Sequence, residues 1–126
     1  MGYTIGEIAE TTGLSIHTLR YYENEGIMPS VKRNGSGIRI YEKTDLEVLQ
    51  FICCLKETGM PVIDIKKFVN LLVQGDHTIE HRIDLLLKQK ENVQSQVNQL
   101  MSYIQMLDRK VQLYKTILAN KNECQE

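Results

Sequence analysis

The feature that most constrains this chain is a long heptad pattern in its C-terminal part. From Thr78 onward, apolar residues recur at alternating intervals of four and three, with one polar interruption at Lys90. Such a helix of about forty residues is roughly 60 Å long, and the rest of the chain is too small to cover it. The pattern therefore predicts a dimer formed through a coiled coil. Its apolar positions are Ile79, Ile83, Leu86, Val93, Val97, Leu100, Ile104, Leu107, Val111, Tyr114 and Leu118.

The composition is that of an ordinary globular protein, with 42% hydrophobic and 25% charged residues. The sequence contains no apolar run long enough to cross a bilayer, and its first residues lack the basic and apolar regions of a signal peptide. We therefore expect a cytoplasmic protein with no membrane partner. Three cysteines, Cys53, Cys54 and Cys124, do not favour a disulfide framework because their number is odd and two are adjacent.

Two sets of helix signals separated by a glycine open the chain. Thr4–Glu7 is a capping box that predicts a short helix through about Glu10, which Thr11–Gly13 is expected to break. Ser15 then caps a second helix through about Asn24. Helix, glycine-containing turn and helix is the arrangement that places a second helix in the major groove of DNA. A plain helical hairpin with a solvated polar face is the alternative interpretation.

A hairpin and two further helices are predicted next. Lys32–Tyr41 has glycines between short β-prone runs, a pattern typical of a small β-hairpin. Thr44–Glu47 is a second capping box and opens a third helix that stops at Gly59. Pro61 suits the first turn of a fourth helix, which Gly75 ends.

The predicted fold class is therefore mainly α, a winged helix-turn-helix domain followed by a long dimerisation helix. We assign residues 1–75 to the DNA-binding domain and residues 76–126 to the coiled-coil helix and C-terminal tail. The net charge of −1 does not by itself favour nucleic acid, but residues 15–43 carry five basic side chains against three acidic ones.

Polar residues on the outward face of the second helix are the candidates for DNA contacts. Short donors at its N-terminal end, an arginine and a tyrosine suit base edges and phosphates. The predicted DNA-binding residues outside the hairpin are Thr4, Ser15, His17, Thr18, Arg20 and Tyr21.

Four motifs together resemble those of the MerR family of transcription regulators. They are Thr4–Ala9, Thr18–Glu23, Gly26–Pro29 and Gly37–Tyr41. The resemblance covers roughly residues 3–74, and the coiled coil extends it to nearly the whole chain. It implies a homodimer with an antiparallel coiled coil on a pseudo-palindromic double-stranded promoter site. It also implies that the protein bends and untwists the promoter spacer, with RNA polymerase as a further partner.

The same resemblance extends to the hairpin, which would be the wing. By this resemblance Arg39 and Tyr41 belong to the wing, and Arg33 or Lys32 lies near a phosphate. The predicted DNA-binding residues therefore also include Arg33, Arg39 and Tyr41.

The effector is suggested by Cys54–Met60, which is similar to the AdhR/NmlR-like aldehyde- and thiol-stress branch of that family. That branch has a reactive cysteine at the position of Cys54, whose helical neighbours form a partly polar flank. Core packing alone is an equally weighted alternative, because cysteine is a common small core residue. A helix C-terminus and Glu57 should also raise the pKa of a thiol at this position.

Other functions are less well supported by the sequence. Metal sensing is not favoured, because Gly75–Leu85 has no cysteine and His77 and His81 lack a third ligand. We expect neither a metal nor a cofactor. We also expect no enzymatic activity, because no nucleophile–base set, paired carboxylates or phosphate loop is present. A coiled-coil interaction module whose helix-turn-helix no longer binds DNA is the alternative from another class.

Overall fold

The computed structural model describes residues 2–124, which form five α-helices, one 3-10 turn and one two-stranded sheet. They divide into two compact units, the first ending at Gln89 and the second beginning at Lys90. A winged helix-turn-helix followed by a long helix confirms the predicted fold class. The elements in chain order are α1 (Ile5–Thr12), α2 (Ile16–Asn24), β1 (Lys32–Arg33), β2 (Arg39–Ile40), α3 (Lys43–Glu57), α4 (Val62–Gln74), the 3-10 turn (Asp76–Thr78) and α5 (Ile79–Cys124).

Helix α1 begins at the predicted capping box. The Glu7 N–H donates to Thr4 Oγ1 at 3.1 Å, and the Thr4 N–H donates to Glu7 Oε1 at 3.0 Å. Gly13 follows the helix with a φ of 77°, a left-handed conformation that disfavours residues with a side chain. Ser15 Oγ then accepts from the Thr18 N–H at 3.0 Å, and α2 begins. The helix, glycine turn and helix predicted from the sequence are confirmed.

The end of α1 lies two residues beyond the predicted one. Thr11 and Thr12 were expected to break the helix, but both are helical. The Thr11 hydroxyl donates to the Glu7 carbonyl at 2.9 Å, and the Thr12 hydroxyl donates to the Ile8 carbonyl at 2.8 Å. Because these hydroxyls bond within the preceding turn, the threonines remain in the helix and only Gly13 ends it.

The predicted hairpin is present as β1 and β2. Asn34 Oδ1 accepts from the Ser36 N–H at 2.9 Å and from the Ile38 N–H at 3.0 Å, which holds the loop closed. Beyond β2, Tyr3 and Tyr41 exchange backbone hydrogen bonds of 2.6 and 2.9 Å, so the start of the chain is attached to the hairpin. The antiparallel register pairs Lys32 with Ile40 and Arg33 with Arg39.

The core of the first unit draws on α1 to α4 and on the segments that flank the hairpin. Leu19 and Tyr22 anchor α2 in this core, and that anchoring decides which face of α2 is outward. The buried apolar residues are Ile8, Leu19, Tyr22, Ile27, Met28, Val31, Tyr41, Leu49, Ile52, Leu55, Met60, Ile65, Phe68 and Val69.

The start of α3 differs from the prediction. The helix was expected to open with a capping box at Thr44, but it begins at Lys43. Asp45 Oδ2 accepts from the Glu42 N–H at 2.8 Å, so the side chain that satisfies this helix terminus is Asp45, two residues before the predicted Glu47. Helix α4 starts directly after Pro61 and ends before Gly75, in agreement with the sequence.

The first unit continues past residue 75 into α5. The buried Thr78 hydroxyl lies 2.6 Å from the Leu71 carbonyl and 2.8 Å from the Gly75 carbonyl, which secures the turn between α4 and α5. Leu85 and Leu86 pack against the core of the unit. The first turns of α5 therefore complete the core of the compact unit that ends at Gln89.

Within the second unit, α5 is a continuous helix whose apolar residues are exposed in the isolated chain. The exposed heptad positions there are Val97, Leu100, Ile104, Leu107, Val111, Tyr114 and Leu118. A second apolar row lies one residue before some of these positions and consists of Tyr103, Met106, Leu113 and Ile117. Among the helices of residues 2–124, none is long and apolar enough to span a membrane.

Candidate nucleic-acid interface

The outward face of α2 presents three of the residues expected to contact DNA. His17, Arg20 and Tyr21 are exposed, whereas Leu19 and Tyr22 between and beside them are buried. Tyr21 keeps 52% of its surface accessible, and Arg20, the residue before it, is also exposed. This combination can donate to phosphates and base edges and can pack on a sugar or a thymine methyl group.

The hydroxyls at the start of α2 are engaged within the helix terminus. Ser15 Oγ accepts from the Thr18 N–H and donates to Thr18 Oγ1 at 2.9 Å. Ser15 is exposed and Thr18 is half-buried. Thr4 is also exposed, and its hydroxyl serves the capping box of α1. The DNA contacts of these three residues stay predictions, and such contacts must be compatible with the capping bonds.

The hairpin presents Arg33 on its outer surface. The Arg33 Nη1 donates to the Gly37 carbonyl at 3.0 Å, so the guanidinium spans the loop while its residue remains exposed. Lys32 is paired with Glu42 at 3.2 Å, and its side chain is 79% exposed. Ile38, which the sequence did not single out, is 57% exposed in the loop between β1 and β2. The hairpin thus exposes both cationic and apolar side chains.

Arg39 points inward from the hairpin, in contrast to the predicted surface role. Its Nε donates to Glu23 Oε1 at 2.5 Å, and the two side chains are only 14% and 8% exposed. The second oxygen of Glu23 accepts from the Val31 N–H at 3.0 Å. Glu23 belongs to α2 and Arg39 to β2, so this ion pair fixes the hairpin against the DNA-reading helix.

Tyr41 also lies in the interior, which differs from the exposure that a DNA contact requires. Its side chain is completely buried, and its hydroxyl has no hydrogen-bond partner among the described residues. Burial raises the pKa of the phenol, and the nearby Glu23 carboxylate raises it further. The structure thus assigns Tyr41 to the core beneath the hairpin. No sequence pattern indicated this burial, because the residue type and the motif position of Tyr41 fit a surface contact equally well.

The two cysteines of α3 differ in exposure in the expected sense. Cys54 is exposed, Cys53 is half-buried, and both thiols are free. Burial raises the pKa of the Cys53 thiol, and the Lys56 charge opposes this shift. Cys124 is the last described residue, and its side chain lies outside the described part.

Lys56 connects α3 to α2. Its Nζ donates to Tyr22 Oη at 2.8 Å and lies 4.9 Å from the centroid of the Tyr22 ring. A cation over an aromatic face with an added hydrogen bond is a favourable contact. Sequence reasoning missed it, because the two residues are 34 positions apart.

The histidines considered as metal ligands, His77 and His81, do not belong to a candidate metal site. Across residues 2–124, no group of three or more histidine, cysteine, aspartate or glutamate side chains could hold a metal ion.

A glycine-turned pair of helices with an adjacent wing defines a winged helix-turn-helix DNA-binding protein. A family model described as MerR HTH family regulatory protein matches residues 3–72, and a model described as MerR, DNA binding matches residues 46–110. The chain belongs to the MerR family and is a DNA-binding transcriptional regulator.

Relatives within the family cover most of the chain. An uncharacterised HTH-type transcriptional regulator of Haemophilus influenzae is 41% identical over 115 residues, which is 91% of this chain and 85% of that protein. The HTH-type transcriptional regulator AdhR of Bacillus subtilis is 36% identical over 89 residues, covering 71% of this chain and 64% of AdhR.

Solved structures support the same assignment. HiNmlR, a MerR family regulator lacking the sensor domain and crystallised with promoter DNA, superposes with a TM-score of 0.80 at 40% identity, covering 94% of each chain. A MerR family protein of Listeria monocytogenes superposes with a TM-score of 0.86 at 31% identity, covering 96% of this chain and 92% of that one.

Proposed function

We propose that this regulator binds promoter DNA as a homodimer, distorts it, and responds to aldehyde or thiol stress through Cys54. The observation that carries the DNA-binding part is the exposed face of α2, with Arg20 and Tyr21, beside a hairpin that Glu23 and Arg39 hold in place. The ion pair fixes the spacing between α2 and the hairpin before DNA binds. Binding therefore loses little conformational entropy in ordering these two elements. We propose no catalytic step.

The exposed heptad positions of α5 support the dimeric part of the proposal. Side chains such as Leu100 and Leu107 are 61% and 66% exposed, and a second copy of α5 offers the matching seam. We propose an antiparallel coiled coil formed by residues 76–126, with residues 1–75 carrying the DNA contacts. The start of α5 then belongs to both functions, because it also completes the core of the first unit.

Distortion of promoter DNA follows from two reading modules joined at a set distance. When the two half-sites do not match that distance, bending or untwisting of the DNA brings both into register. The cost is offset by the additional phosphate contacts that the distorted duplex allows. RNA polymerase then acts on the realigned promoter, which is the role that the family resemblance implies for it. HiNmlR, a MerR family regulator lacking the sensor domain, was crystallised with promoter DNA and supports this proposal.

The exposure of Cys54 supports the proposed sensor. A reactive cysteine must be reachable by the electrophile, and Cys54 is the exposed thiol of the two in α3. The helix that carries it packs against α4 through the rings of Phe51 and Phe68, 5.5 Å apart, and contacts α2 through Lys56. A covalent change on α3 can therefore bias two arrangements of the DNA-binding elements.

Fluorescence anisotropy with the DNA upstream of the chain's own gene tests this function. We expect saturable binding whose affinity falls steeply with salt, because cationic side chains displace counterions from phosphates. A footprint on both strands, with enhanced cleavage between two protected half-sites, would indicate the distortion. Absence of specific binding with an intact dimer would instead favour the coiled-coil interaction module.

A further inference from the structure

Two reactive side chains besides the proposed sensor thiol lie along one edge of α3. Residues three apart on a helix are neighbours, and Cys53 and Lys56 have this spacing. Cys54 is rotated from Cys53 by about 100° and is exposed to solvent. The core-facing residues of the helix are Leu49, Ile52 and Leu55. The edge that carries Cys53 and Lys56 therefore borders the core, whereas Cys54 lies on the outer surface.

The contact made by Lys56 shows that this edge faces α2. Its Nζ is 2.8 Å from the Oη of Tyr22, a residue that is only 5% exposed. The next residue, Glu23, holds the hairpin through Arg39. The Lys56 amine thus lies where the thiol-bearing helix meets the helix that positions the DNA-binding surface.

We propose that Cys53 and Lys56 together capture a one-carbon aldehyde as a methylene bridge between Sγ and Nζ. The inference rests on the aldehyde response proposed above, but it places the bridge on a different thiol. The Cys53 thiol first adds to the carbonyl carbon of formaldehyde and forms an S-hydroxymethyl group. The Lys56 amine then attacks this carbon, the C–O bond breaks, and the oxygen leaves as water. One thiol, one ammonium and one formaldehyde become the bridge, one water molecule and one released proton, and no oxidant or reductant is consumed.

The position of the pair favours a small carbonyl electrophile. Cys53 is half-buried, so formaldehyde reaches its thiol more readily than a bulky oxidant does. A hydroxymethyl adduct on a thiol alone reverts when the aldehyde is diluted. The neighbouring amine converts that adduct into a bridge and so retains it.

Bridge formation changes the contact between α3 and α2. A Nζ bonded to the methylene carbon carries fewer N–H donors and no longer has the full charge of an ammonium above the Tyr22 ring. Lys56 also loses the freedom to follow Tyr22, because its side chain is fixed to Cys53. The arrangement of α2 that the Lys56–Tyr22 contact stabilises is therefore less favoured after the reaction.

Mass spectrometry of the full-length protein treated with formaldehyde tests the bridge. The protein is cleaved after glutamate residues, so that Cys53 and Lys56 remain together on the peptide Val48–Glu57. We expect that peptide to gain the mass of one carbon atom, with Cys53 no longer open to alkylation. The gain should disappear in Cys53→Ser and in Lys56→Arg, which keeps a cation over Tyr22. It should persist in Cys54→Ser.

Persistence of the gain in Cys53→Ser or Lys56→Arg would overturn the assignment, as would a parent protein that gains only intact formaldehyde units. Operator binding measured on the same samples separates this inference from the proposed function. If formaldehyde alters operator affinity without any bridge, the bridge is wrong and the aldehyde response stands. If the untreated protein fails to bind the operator, the proposed function is wrong, and the bridge is judged by its mass alone.

Discussion

Arg39 and Glu23 form an ion pair that joins the hairpin to the DNA-reading helix, with Nε and Oε1 2.5 Å apart and both side chains largely buried. A buried charge is costly without its partner. Arg39 in β2 and Glu23 in α2 therefore constrain each other, and the hairpin cannot shift along α2 without breaking the pair. The geometry of the candidate DNA interface depends on a contact that DNA itself need not touch.

We predict that Arg39→Ala lowers the free energy of unfolding by about 3–5 kcal/mol, because it leaves the Glu23 carboxylate buried without its cation. Urea denaturation of the dimer measures this change. Lys32→Ala is the matched control, since its exposed pair with Glu42 should contribute only about 0–1 kcal/mol. Unchanged stability of Arg39→Ala, with a salt dependence of DNA binding reduced by about one phosphate contact, would instead make Arg39 a phosphate ligand.

Arg20→Ala should weaken operator binding by about 1–3 kcal/mol if the guanidinium reads a base edge, and by somewhat less if it contacts a phosphate. Arg20 is exposed, so the melting temperature should stay that of the parent. Anisotropy titrations on operator and on unrelated DNA distinguish the two contacts. Lys67→Ala, which removes one positive charge from the exposed side of α4, serves as the control. Equal affinity of Arg20→Ala and parent would contradict the assigned face of α2.

Leu100→Asp should convert the dimer into a monomer, because it places a carboxylate at an apolar heptad position. Light scattering reports the mass, and operator binding should weaken strongly with it. Asn98→Asp introduces the same charge on another face of α5 and should remain dimeric. An intact Leu100→Asp dimer with parental affinity would mean that the heptad seam is not the interface.

Tyr41→Phe should leave the protein at least as stable as the parent at neutral pH, because it removes a buried hydroxyl that has no partner among the described residues. The folded-state pKa of Tyr41 is raised above the ordinary phenol value of 10.0, so its protonated form is favoured by folding. That stability is fully present below pH 10.0 and is lost as the pH rises through the folded-state pKa. Chemical denaturation between neutral and alkaline pH should therefore show a smaller alkaline loss in Tyr41→Phe. A destabilised variant at neutral pH would reveal a hydrogen bond to this hydroxyl.

Cys54→Ser should abolish the transcriptional response to diamide, if the exposed thiol of α3 is the sensor. A reporter under the regulated promoter measures induction by diamide, methylglyoxal and formaldehyde. Cys53→Ser is the control for diamide, and it should retain that response because its thiol is half-buried. Normal diamide induction in Cys54→Ser would leave Cys54 as a residue without a sensing role.

The local parts of this fold were predictable from the sequence because their signals lie close together. Thr4 and Glu7 are three residues apart, and their reciprocal hydrogen bonds appear as expected. The heptad spacing of α5 was likewise predictable, because it follows from the geometry of a single helix. The contacts that organise the candidate site lie farther apart along the chain: 16 positions separate Glu23 from Arg39, and 34 separate Tyr22 from Lys56. Local pattern carries no information on such pairs.

Residue type alone also misled the assignment of two hairpin residues. Arginine and tyrosine are the usual residues of a DNA-contacting surface, yet Arg39 and Tyr41 both point inward. The Tyr3–Tyr41 backbone pairing sets this orientation, because it attaches the residue after β2 to the start of the chain. Adjacent residues on an extended segment point to opposite sides, so Ile40 is only partly covered while Tyr41 enters the core.

The two apolar rows of α5 also make the folded state of the regulator depend on its own abundance. A solitary chain leaves Leu107 66% and Met106 65% exposed, and in the proposed dimer these surfaces are removed from water when two chains meet. Mass action then links the melting temperature to protein concentration, and dilution favours chains open to proteolysis. In a cell that makes few copies, the number of folded dimers is therefore lower than the number of chains synthesised would allow. Occupancy of the operator then rises more steeply than the expression level.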